Sequence, residues 1–298
     1  MDSELLIRQK AFAQKAKNLL AERYDHPPLA YVHTFGCQQN VSDGEKISGM
    51  LSEIGYGPAD SPETADLVIY NTCAVRENAE DRVFGNVGAL KPVKQKRQGM
   101  LIGLCGCMMQ QQSAAEKIKQ SYPYVDLVFG THALHTLPEL LYNRLSGQKR
   151  QFSIDDSPGE IIEGIPLQRD GAIKANLPVM YGCNNFCTYC IVPYVRGRER
   201  SRCPQDVLAE ARQLVEMGYR EITLLGQNVN SYGYTLDEQV DFSDLLWEVN
   251  RIDGDFILRF MTSHPKDCTH RLIDTIAACD KVCNHIHLPV QSGSNRVL

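Results

Sequence analysis

The sequence is organised around one segment, Met180-Tyr181-Gly182-Cys183-Asn184-Asn185-Phe186-Cys187-Thr188-Tyr189-Cys190. Its three cysteines have the spacing Cys-x3-Cys-x2-Cys and follow an apolar run, Leu177 to Met180, that is typical of a strand. Thiolates select iron–sulfur clusters, zinc or copper(I). Three thiolates on one short loop leave one corner of a cubane iron–sulfur cluster open. The spacing differs from the two-plus-two pairing of a structural zinc ribbon, and the alternatives are a zinc knuckle or buried core cysteines.

Size and composition are those of a globular protein. The chain has 298 residues, of which 43% are hydrophobic and 22% charged, and this length allows two domains. Its N-terminus carries acidic residues and no long apolar core, so we expect no signal peptide and no membrane association. Eleven cysteines in such a chain indicate metal ligands or catalytic groups in a cytoplasmic protein rather than disulfides. The net charge of −5 is not typical of a nucleic-acid binder, so RNA contacts must come from local basic patches or from residues outside this sequence.

Hydrophobic periodicity predicts two α/β domains. Strands alternate with helices from Leu29 onward, which predicts a doubly wound, mainly parallel sheet followed by part of a β/α barrel. Ser42-Asp43-Gly44-Glu45 predicts a capping box at the start of the first helix of the sheet domain. The predicted divisions are a helical extension (1–28), the sheet domain (29–146), a linker that contains Pro158-Gly159 and a β-hairpin (147–174), and the partial barrel (175–298).

Three further cysteines occupy equivalent positions in the first domain. Cys37, Cys73 and Cys107 each follow the carboxyl end of a different predicted strand. Ligand sites in doubly wound sheets form beyond the carboxyl ends of the strands, so these cysteines can converge although they are far apart in sequence. The pattern favours a second three-thiolate site over three unrelated core cysteines. Cys105 is the alternative third ligand, but it is still within the apolar strand run.

The partial barrel carries polar residues after its predicted strands, the last of which is His285–Leu288. Barrel enzymes hold their ligands at the carboxyl ends of the strands. Each of these residues is equally compatible with an ordinary strand-end turn. The candidate ligand residues are Gly226, Gln227, Asn228, Ser263, Gln291 and Ser292.

Four arginines alternate in the segment Arg196-Gly197-Arg198-Glu199-Arg200-Ser201-Arg202. A solvated charged loop is the ordinary interpretation of such a run. Beside a cluster loop, the same run also predicts contacts to phosphates or to a carboxylate of the substrate.

These motifs together resemble the methylthiotransferases of the radical S-adenosylmethionine (SAM) enzymes. The resemblance covers about residues 30 to 298 and rests on Thr34-Phe35-Gly36-Cys37-Gln38-Gln39-Asn40, Asn71-Thr72-Cys73-Ala74-Val75-Arg76, Gly106-Cys107, the Cys183 loop, the arginine segment and Leu288-Pro289-Val290-Gln291-Ser292-Gly293-Ser294. Around the first cysteine, the pattern with Val41-Ser42-Asp43 is most similar to the branch that acts on N6-dimethylallyladenosine in tRNA.

The resemblance implies two 4Fe–4S clusters and SAM as cofactors. Cys183, Cys187 and Cys190 would hold the cluster that cleaves SAM, and the resulting radical would take hydrogen from C2 of the adenine beside the anticodon. Cys37, Cys73 and Cys107 would hold a second, auxiliary cluster that carries the sulfur to be inserted, while a second SAM supplies the methyl group. The residues that follow the barrel strands would contact SAM.

The resemblance also implies partners: a tRNA that carries the dimethylallyl group, and an electron donor such as flavodoxin or ferredoxin. The family's last barrel strands and its small tRNA-holding TRAM domain are absent from this sequence, so we expect a chain truncated at its C-terminus. The alternatives are another branch of the family, acting on threonylcarbamoyladenosine in tRNA or on a ribosomal-protein aspartate, and a non-catalytic iron–sulfur or zinc protein that binds RNA.

Overall fold

A computed structural model describes residues 4–75, 77–155, 159–169 and 171–297, with only the backbone described at 77–79. Arg76 and Pro158, which belong to two of the sequence motifs, lie outside the described residues. The chain divides into two compact units. The first unit consists of Met1–Gln168 with Thr188–Arg196, and the second of Arg169–Cys187 with Gly197–Leu298.

The first unit is built on a parallel sheet of six strands. The strands are β1 (Leu29–Thr34), β2 (Gly57–Pro58), β3 (Leu67–Thr72), β4 (Leu101–Gly106), β5 (Leu127–Phe129) and β6 (Gln151–Ser153), in the order β2-β1-β3-β4-β5-β6. The helices are α1 (Glu4–Arg23), α2 (Gln38–Ile54), α3 (Glu77–Lys96), α4 (Gln112–Ser121), α5 (Leu137–Leu145) and α6 (Val192–Val195).

Strand β3 shows why helices cover both faces of this sheet. All six of its residues are buried. Leu67 and Ile69 pack in a cluster with α1, α2 and α5, whereas Val68 and Tyr70 pack in another cluster with α3 and α4. Successive side chains of a strand point to opposite faces, so an unbroken apolar run requires cover on both. The doubly wound parallel sheet predicted from the sequence is therefore confirmed.

The predicted capping box is wrong. Helix α2 begins at Gln38, four residues before Ser42, because Gly36 (φ 111°) turns the chain from β1 directly into the helix. Asp43 is buried and its carboxylate pairs with Arg196 at 2.6 Å. The carboxylate is thus used for a long-range ion pair, although its sequence context is typical of a helix start.

The segment after α5 also differs from its prediction as a linker with a hairpin. Gln151–Ser153 forms β6, which pairs in parallel with β5 and extends the first sheet. The strand is held because Phe152 and Ile154 pack against the cluster that α3 and α4 form. The predicted domain boundaries themselves stay a prediction.

The second unit has a smaller parallel sheet, in the order β11-β10-β7, and an antiparallel pair, β8 with β9. Its helices pack with the sheet in one apolar cluster that includes Phe242 and Phe260. The elements are β7 (Lys174–Pro178), β8 (Met180–Tyr181), β9 (Arg200–Ser201), α7 (Pro204–Glu216), β10 (Glu221–Leu225), α8 (Phe242–Asn250), β11 (Ile257–Met261) and α9 (His270–Ala278). Among the described helices, none combines the length and apolar character that crossing a membrane requires.

The predicted strand His285–Leu288 is not a regular strand. The chain runs beside β11 through separate contacts: Val282 forms a single parallel bridge with Leu258, and the Ser263 amide donates to the His287 carbonyl oxygen at 3.1 Å. Residues 284–287 are exposed, so burial of apolar side chains does not stabilise a continuous strand there. Within the described residues, the parallel sheet of the second unit has three strands.

Candidate functional site

Cys37, Cys73 and Cys107 lie at one edge of the first sheet. They follow the carboxyl ends of β1, β3 and β4, which are adjacent in the sheet. The strand ends are level, because Thr34 pairs with Asn71 and Thr72 with Gly106. The topology therefore brings the three cysteine-bearing turns to the edge where doubly wound sheets bind ligands.

Two glycines allow these turns to pack closely. A Cβ on Gly36 would lie 2.6 Å from Cys73 Cβ and 2.7 Å from its Sγ, and φ at Gly36 is 111°. A Cβ on Gly106 would lie 2.4 Å from the Thr72 carbonyl oxygen, and φ there is 93°. Both positions thus require glycine for their conformation and for the space they leave. The Cys107 amide in turn donates to the Thr72 carbonyl oxygen at 3.0 Å.

Asn40 links the three turns by hydrogen bonds. Its buried Nδ2 donates to the carbonyl oxygens of Phe35 (2.8 Å) and Thr72 (2.9 Å), and its own carbonyl oxygen accepts from Asn71 Nδ2 (2.8 Å). The Cys107 Sγ lies 3.5 Å from Asn40 Oδ1. Because Asn40 is buried and makes all of these hydrogen bonds, it holds the three cysteine-bearing turns in one arrangement.

Arg196 reaches the same edge from the end of α6. Its guanidinium is buried and contacts Asp43 Oδ2 (2.6 Å), Asn40 Oδ1 (2.6 Å) and Cys107 Sγ (3.2 Å). Burial disfavours the charged guanidinium, but Asp43 and the two nearby cysteines outweigh this and raise the Arg196 pKa. Arg196 is therefore a permanent positive charge beside the cysteines.

The structure separates Cys105 from Cys107. Cys105 belongs to β4 and packs in the apolar cluster with α1, α2 and α5, and burial raises its thiol pKa well above the ordinary value. Cys107 lies one residue beyond the strand, where burial raises its pKa to about 11 while Arg196 acts to lower it. Cys107 thus accepts a hydrogen bond from the cationic Arg196, whereas Cys105 packs in the hydrophobic core. This placement supports Cys107 as the third ligand.

The positions of Cys37, Cys73 and Cys107 are compatible with a cubane cluster. Among the described residues, no three His, Cys, Asp or Glu side chains come together closely enough to hold one metal ion. In a cubane cluster each cysteine binds a different iron, so its thiolates stand apart around the cluster. Three cysteines on separate turns at one edge, one exposed and two buried, are compatible with that arrangement.

The first half of the Cys-x3-Cys-x2-Cys loop is anchored in the second unit. The Gly182 amide donates to Gln227 Oε1 at 2.5 Å, and the Cys183 amide donates to the Gly197 carbonyl oxygen at 3.2 Å. Cys183 is buried and Cys187 half-buried. Cys190 is also half-buried and lies in the segment that belongs to the first unit. The assignment of these cysteines to one cluster stays a prediction from their spacing.

Four of the candidate SAM residues follow adjacent strands of the second sheet. Gly226, Gln227 and Asn228 come directly after β10, and Ser263 lies two residues beyond β11. The two strand ends are joined, because the Val229 amide donates to the Thr262 carbonyl oxygen at 2.9 Å. The predicted residues therefore lie at one edge of the sheet, and Gln227 also holds the cysteine loop at Gly182.

Gln291 and Ser292 are less well tied to this edge. Both lie in a stretch without regular secondary structure, and the contacts described for Ser292 are local, to Val290 and Ser294. Gln291 has a left-handed backbone (φ 61°). Their role in SAM binding stays a prediction.

Backbone strain occurs in the same unit. Among the described residues, the non-glycine residues with positive φ are Phe186 (47°), Thr262 (70°) and Gln291 (61°). A β-branched residue such as Thr262 rarely adopts this conformation. Strained residues cluster at binding sites, and these three lie in the cysteine loop, next to Ser263 and next to Ser292.

Buried polar atoms without partners mark the end of β10 and β11. Within the part of the chain that the structure describes, Asn228 Oδ1, Ser263 Oγ, Glu199 Oε1 and both amide atoms of Asn230 have no hydrogen-bond partner. Burial raises the Glu199 pKa, and the nearby Ser231 hydroxyl partly offsets this effect. Such groups are costly unless a ligand satisfies them. The sequence analysis did not single out Glu199 or Asn230. Glu199 lies in the arginine segment and Asn230 three residues after Gln227, so both are in segments that the sequence analysis had marked.

The arginine segment divides into buried and exposed members. Arg196 is paired with Asp43 and Arg202 with Glu210 (2.8 Å), so both serve in buried ion pairs. Arg198 is exposed and stacks over the Phe186 ring at 4.3 Å. Arg200 is half-buried, and the predicted phosphate contacts stay a prediction.

Two known families account for most of the chain. Residues 29–130 match the family described as "Uncharacterized protein family UPF0004", and residues 177–298 match the "Radical SAM superfamily". These ranges hold the sheet edge with Cys37, Cys73 and Cys107 and the segment from Cys183 onward. The chain thus carries a UPF0004 domain followed by a radical SAM domain.

The chain is similar to three proteins that share one name. The chain is 56% identical over 268 residues to a protein of Clostridium tetani (90% of this chain, 59% of the relative) and 55% identical over 267 residues to one of Alkaliphilus oremlandii (90% and 57%). It is 50% identical over 298 residues to one of Acetivibrio thermocellus (99% and 62%). Each is named tRNA-2-methylthio-N(6)-dimethylallyladenosine synthase. The chain spans about three fifths of the length of these relatives.

A solved structure has the same fold. The radical S-adenosylmethionine methyltransferase TsrM from Kitasatospora setae, determined with a tryptophan substrate and a SAM analogue, matches with a TM-score of 0.61. The match covers 92% of this chain and 61% of that chain at 14% identity. A second TsrM structure, with cobalamin and a [4Fe–4S] cluster bound, has a TM-score of 0.57 and covers 88% and 59%. At this identity the likeness shows the fold alone.

Proposed function

We propose that this chain is the catalytic part of a tRNA methylthiotransferase. Its reaction would be sulfur insertion and methyl transfer at C2 of N6-dimethylallyladenosine beside the anticodon, which gives the 2-methylthio derivative. The observation that carries this proposal is the convergence of Cys37, Cys73 and Cys107 at the carboxyl edge of the first sheet. An enzyme that only cleaves SAM needs one cluster loop, whereas sulfur insertion calls for a second.

The residues of the first unit suit an auxiliary 4Fe–4S cluster. Cys37, Cys73 and Cys107 lie on turns that Gly36, Gly106 and Asn40 hold in place, and Arg196 supplies a positive charge that favours thiolate ligands. With three cysteines, one iron is left for another ligand. The cluster would present the sulfur that is inserted into the base.

The residues of the second unit suit SAM. SAM carries an amino group, a carboxylate and ribose hydroxyls, and the unpartnered polar atoms of Asn228, Asn230, Ser263 and Glu199 offer acceptors and donors for them. The Glu199 carboxylate is buried near Ser231 and would bind a cationic amine. The Gln227 side chain holds the backbone of the cysteine loop at Gly182, which would orient the loop toward the same ligand.

Cys183, Cys187 and Cys190 would hold the cluster that, with SAM, would supply the radical chemistry needed to remove an aromatic hydrogen, which side chains alone do not provide. The side chains of this protein would bind and orient SAM and the substrate base. A base buried in the anticodon stack would have to be turned out to reach the site, as base-modifying enzymes commonly require. Arg198 is the proposed contact to its phosphates, since it is exposed whereas Arg196 and Arg202 are buried in ion pairs.

The partners follow from the same chemistry. The proposed substrate is a tRNA that already carries the dimethylallyl group, and the proposed reductant is a low-potential protein such as flavodoxin or ferredoxin. Because the chain is acidic overall, its tRNA affinity would depend on local basic residues. The cytoplasmic location expected from the sequence stays a prediction.

Nucleoside analysis of tRNA from a deletion strain tests the proposal. We expect the 2-methylthio nucleoside to disappear and N6-dimethylallyladenosine to accumulate, with recovery on expression of the wild-type gene. A matched strain that expresses Cys183→Ala should not recover, whereas Cys203→Ala, an exposed cysteine outside both triads, should. Unchanged dimethylallyladenosine together with loss of a threonylcarbamoyladenosine derivative would contradict the branch and favour the sister activity.

A cofactor assay separates catalysis from the non-catalytic alternative. The reconstituted chain, given SAM and dithionite under anaerobic conditions, should form 5′-deoxyadenosine, and Cys183→Ala should abolish it. An iron–sulfur or zinc protein that only binds RNA would form none in either case.

A further inference from the structure

Arg196 places a buried guanidinium against one predicted ligand of the auxiliary cluster. Its side chain is 7% exposed, and its Nε lies 3.2 Å from Cys107 Sγ. The two terminal nitrogens contact Asn40 Oδ1 and Asp43 Oδ2, each at 2.6 Å. Every nitrogen of the guanidinium thus has a partner, and one of those partners is sulfur.

The direction of the contact with sulfur follows from the chemistry of the guanidinium. Arginine carries donors and no acceptor, so the Cys107 sulfur must accept the hydrogen bond. A positively charged donor favours sulfur with more negative charge. Asp43 balances the charge of Arg196, because an unpaired buried guanidinium would be strongly unfavourable. The Arg196–Asp43 ion pair therefore places a hydrogen-bond donor next to Cys107, while the pair itself carries little net charge.

We propose that Arg196 is a positioning residue for the auxiliary cluster: its hydrogen bond fixes Cys107 and raises the reduction potential of the 4Fe–4S cluster held by Cys37, Cys73 and Cys107. This inference rests on the proposed two-cluster function. Hydrogen bonds and charge near the sulfurs are among the factors that set the potentials of such clusters. A one-electron reduction adds negative charge, so a cationic donor stabilises the reduced form more than the oxidised form.

The first test removes the hydrogen bond and keeps the charge. Arg196→Lys retains a cation for Asp43, but a single ammonium lacks the planar fork that reaches three partners at once. The background is the full chain with Cys183→Ala, Cys187→Ala and Cys190→Ala, so that only the auxiliary cluster is present. A dithionite titration followed by electron paramagnetic resonance measures its potential. We expect Arg196→Lys to shift the potential to a more negative value at an unchanged content of about four irons.

The second test changes the balancing charge. Asp43→Asn keeps the guanidinium and its bond to Cys107 but removes the neighbouring carboxylate. The potential should then shift to a more positive value, opposite in sign to that of Arg196→Lys. A pair that only stabilises the fold gives no reason for opposite shifts.

Arg202→Lys is the matched control. Arg202 is equally buried and pairs with Glu210 in the second unit, so the same substitution there should leave the potential unchanged. An unchanged potential in Arg196→Lys, or shifts of the same sign in Arg196→Lys and Asp43→Asn, would overturn the inference. If Arg196→Lys does not retain the cluster, Asp43→Asn decides alone: a positive shift supports the inference, and no shift or a negative one overturns it. Absence of iron from the background chain itself would instead overturn the two-cluster function, and the inference with it.

Discussion

Gly36 and Cys73 are in direct contact across the edge of the first sheet, and a Cβ at Gly36 would lie 2.7 Å from the Cys73 sulfur. The contact joins the turn after β1, which carries Cys37, to the end of β3. Two cysteines that are 36 positions apart in sequence are thereby held on adjacent turns. The absence of a side chain at one residue is thus what brings two candidate ligands together.

We therefore expect Gly36→Ala to lower the free energy of unfolding by about 1–3 kcal/mol, because φ is 111° and the new methyl would clash with Cys73. It should also reduce the iron retained after anaerobic reconstitution. Urea unfolding and iron analysis measure the two effects.

Gly85→Ala is the control for that substitution. Gly85 lies in α3 with open space around its Cα, so alanine there should be neutral or stabilising by up to about 1 kcal/mol. Equal stability and iron content in Gly36→Ala and Gly85→Ala would show that the close turn is not needed.

The unpartnered hydroxyl of Ser263 gives a prediction in which stability and binding move in opposite directions. Ser263→Ala should raise the free energy of unfolding of the cofactor-free chain by about 1–2 kcal/mol, because it removes a buried group without a hydrogen bond. The same variant, reconstituted, should bind SAM more weakly in calorimetry.

Ser231→Ala provides the comparison. Ser231 is also buried, but its hydroxyl donates to the Asn228 carbonyl oxygen at 2.8 Å, so its removal should cost about 1 kcal/mol. If Ser263→Ala destabilises the chain as much as Ser231→Ala, the Ser263 hydroxyl already has a hydrogen-bond partner in the cofactor-free chain.

Glu199 should make the stability of the cofactor-free chain depend on pH. Burial raises its folded pKa above the ordinary value of 4.5. The folded state then binds the proton more tightly than the unfolded state, so this contribution is complete below about pH 4.5 and is lost as pH rises through the folded pKa. Glu199→Gln, which stays neutral, should be more stable than the wild type at about pH 7, with the difference vanishing near pH 4.

Denaturant unfolding across this pH range measures the effect. Glu210→Gln is the matched substitution of opposite sign, because Glu210 pairs with Arg169 and Arg202 and its charge is stabilising. A loss of stability in Glu199→Gln at neutral pH, similar to that of Glu210→Gln, would show that the Glu199 carboxylate is already well paired.

The sequence predicted those parts of the site that depend on local pattern. Strands and helices alternate with clear periodicity, so the sequence alone predicts that Cys37, Cys73 and Cys107 follow three strands. The preference for Cys107 over Cys105 followed from the apolar run of β4, and Cys105 indeed packs in the core. The residues after β10 and β11 were predictable for the same reason.

Long-range pairing could not be predicted. Arg196 contacts Asn40 across 156 positions, and nothing in an alternating run of arginines distinguishes the buried members from the exposed ones. Asp43 looked like part of a helix cap because its sequence neighbours fit that pattern, whereas its partner is distant. The strand predicted at His285–Leu288 is absent because residues 284–287, including Ile286, are exposed, and exposure depends on the rest of the fold.

We propose that this chain holds two cubane clusters, one of them on three dispersed cysteines. The most direct test is to measure iron and acid-labile sulfide per chain after anaerobic reconstitution. The proteins compared are the wild type, a Cys37→Ala, Cys73→Ala, Cys107→Ala triple variant, and Cys105→Ala as the control. We predict about eight irons in the wild type and in Cys105→Ala, and about four in the triple variant. About four irons in all three proteins would contradict the account and leave a chain with one cluster.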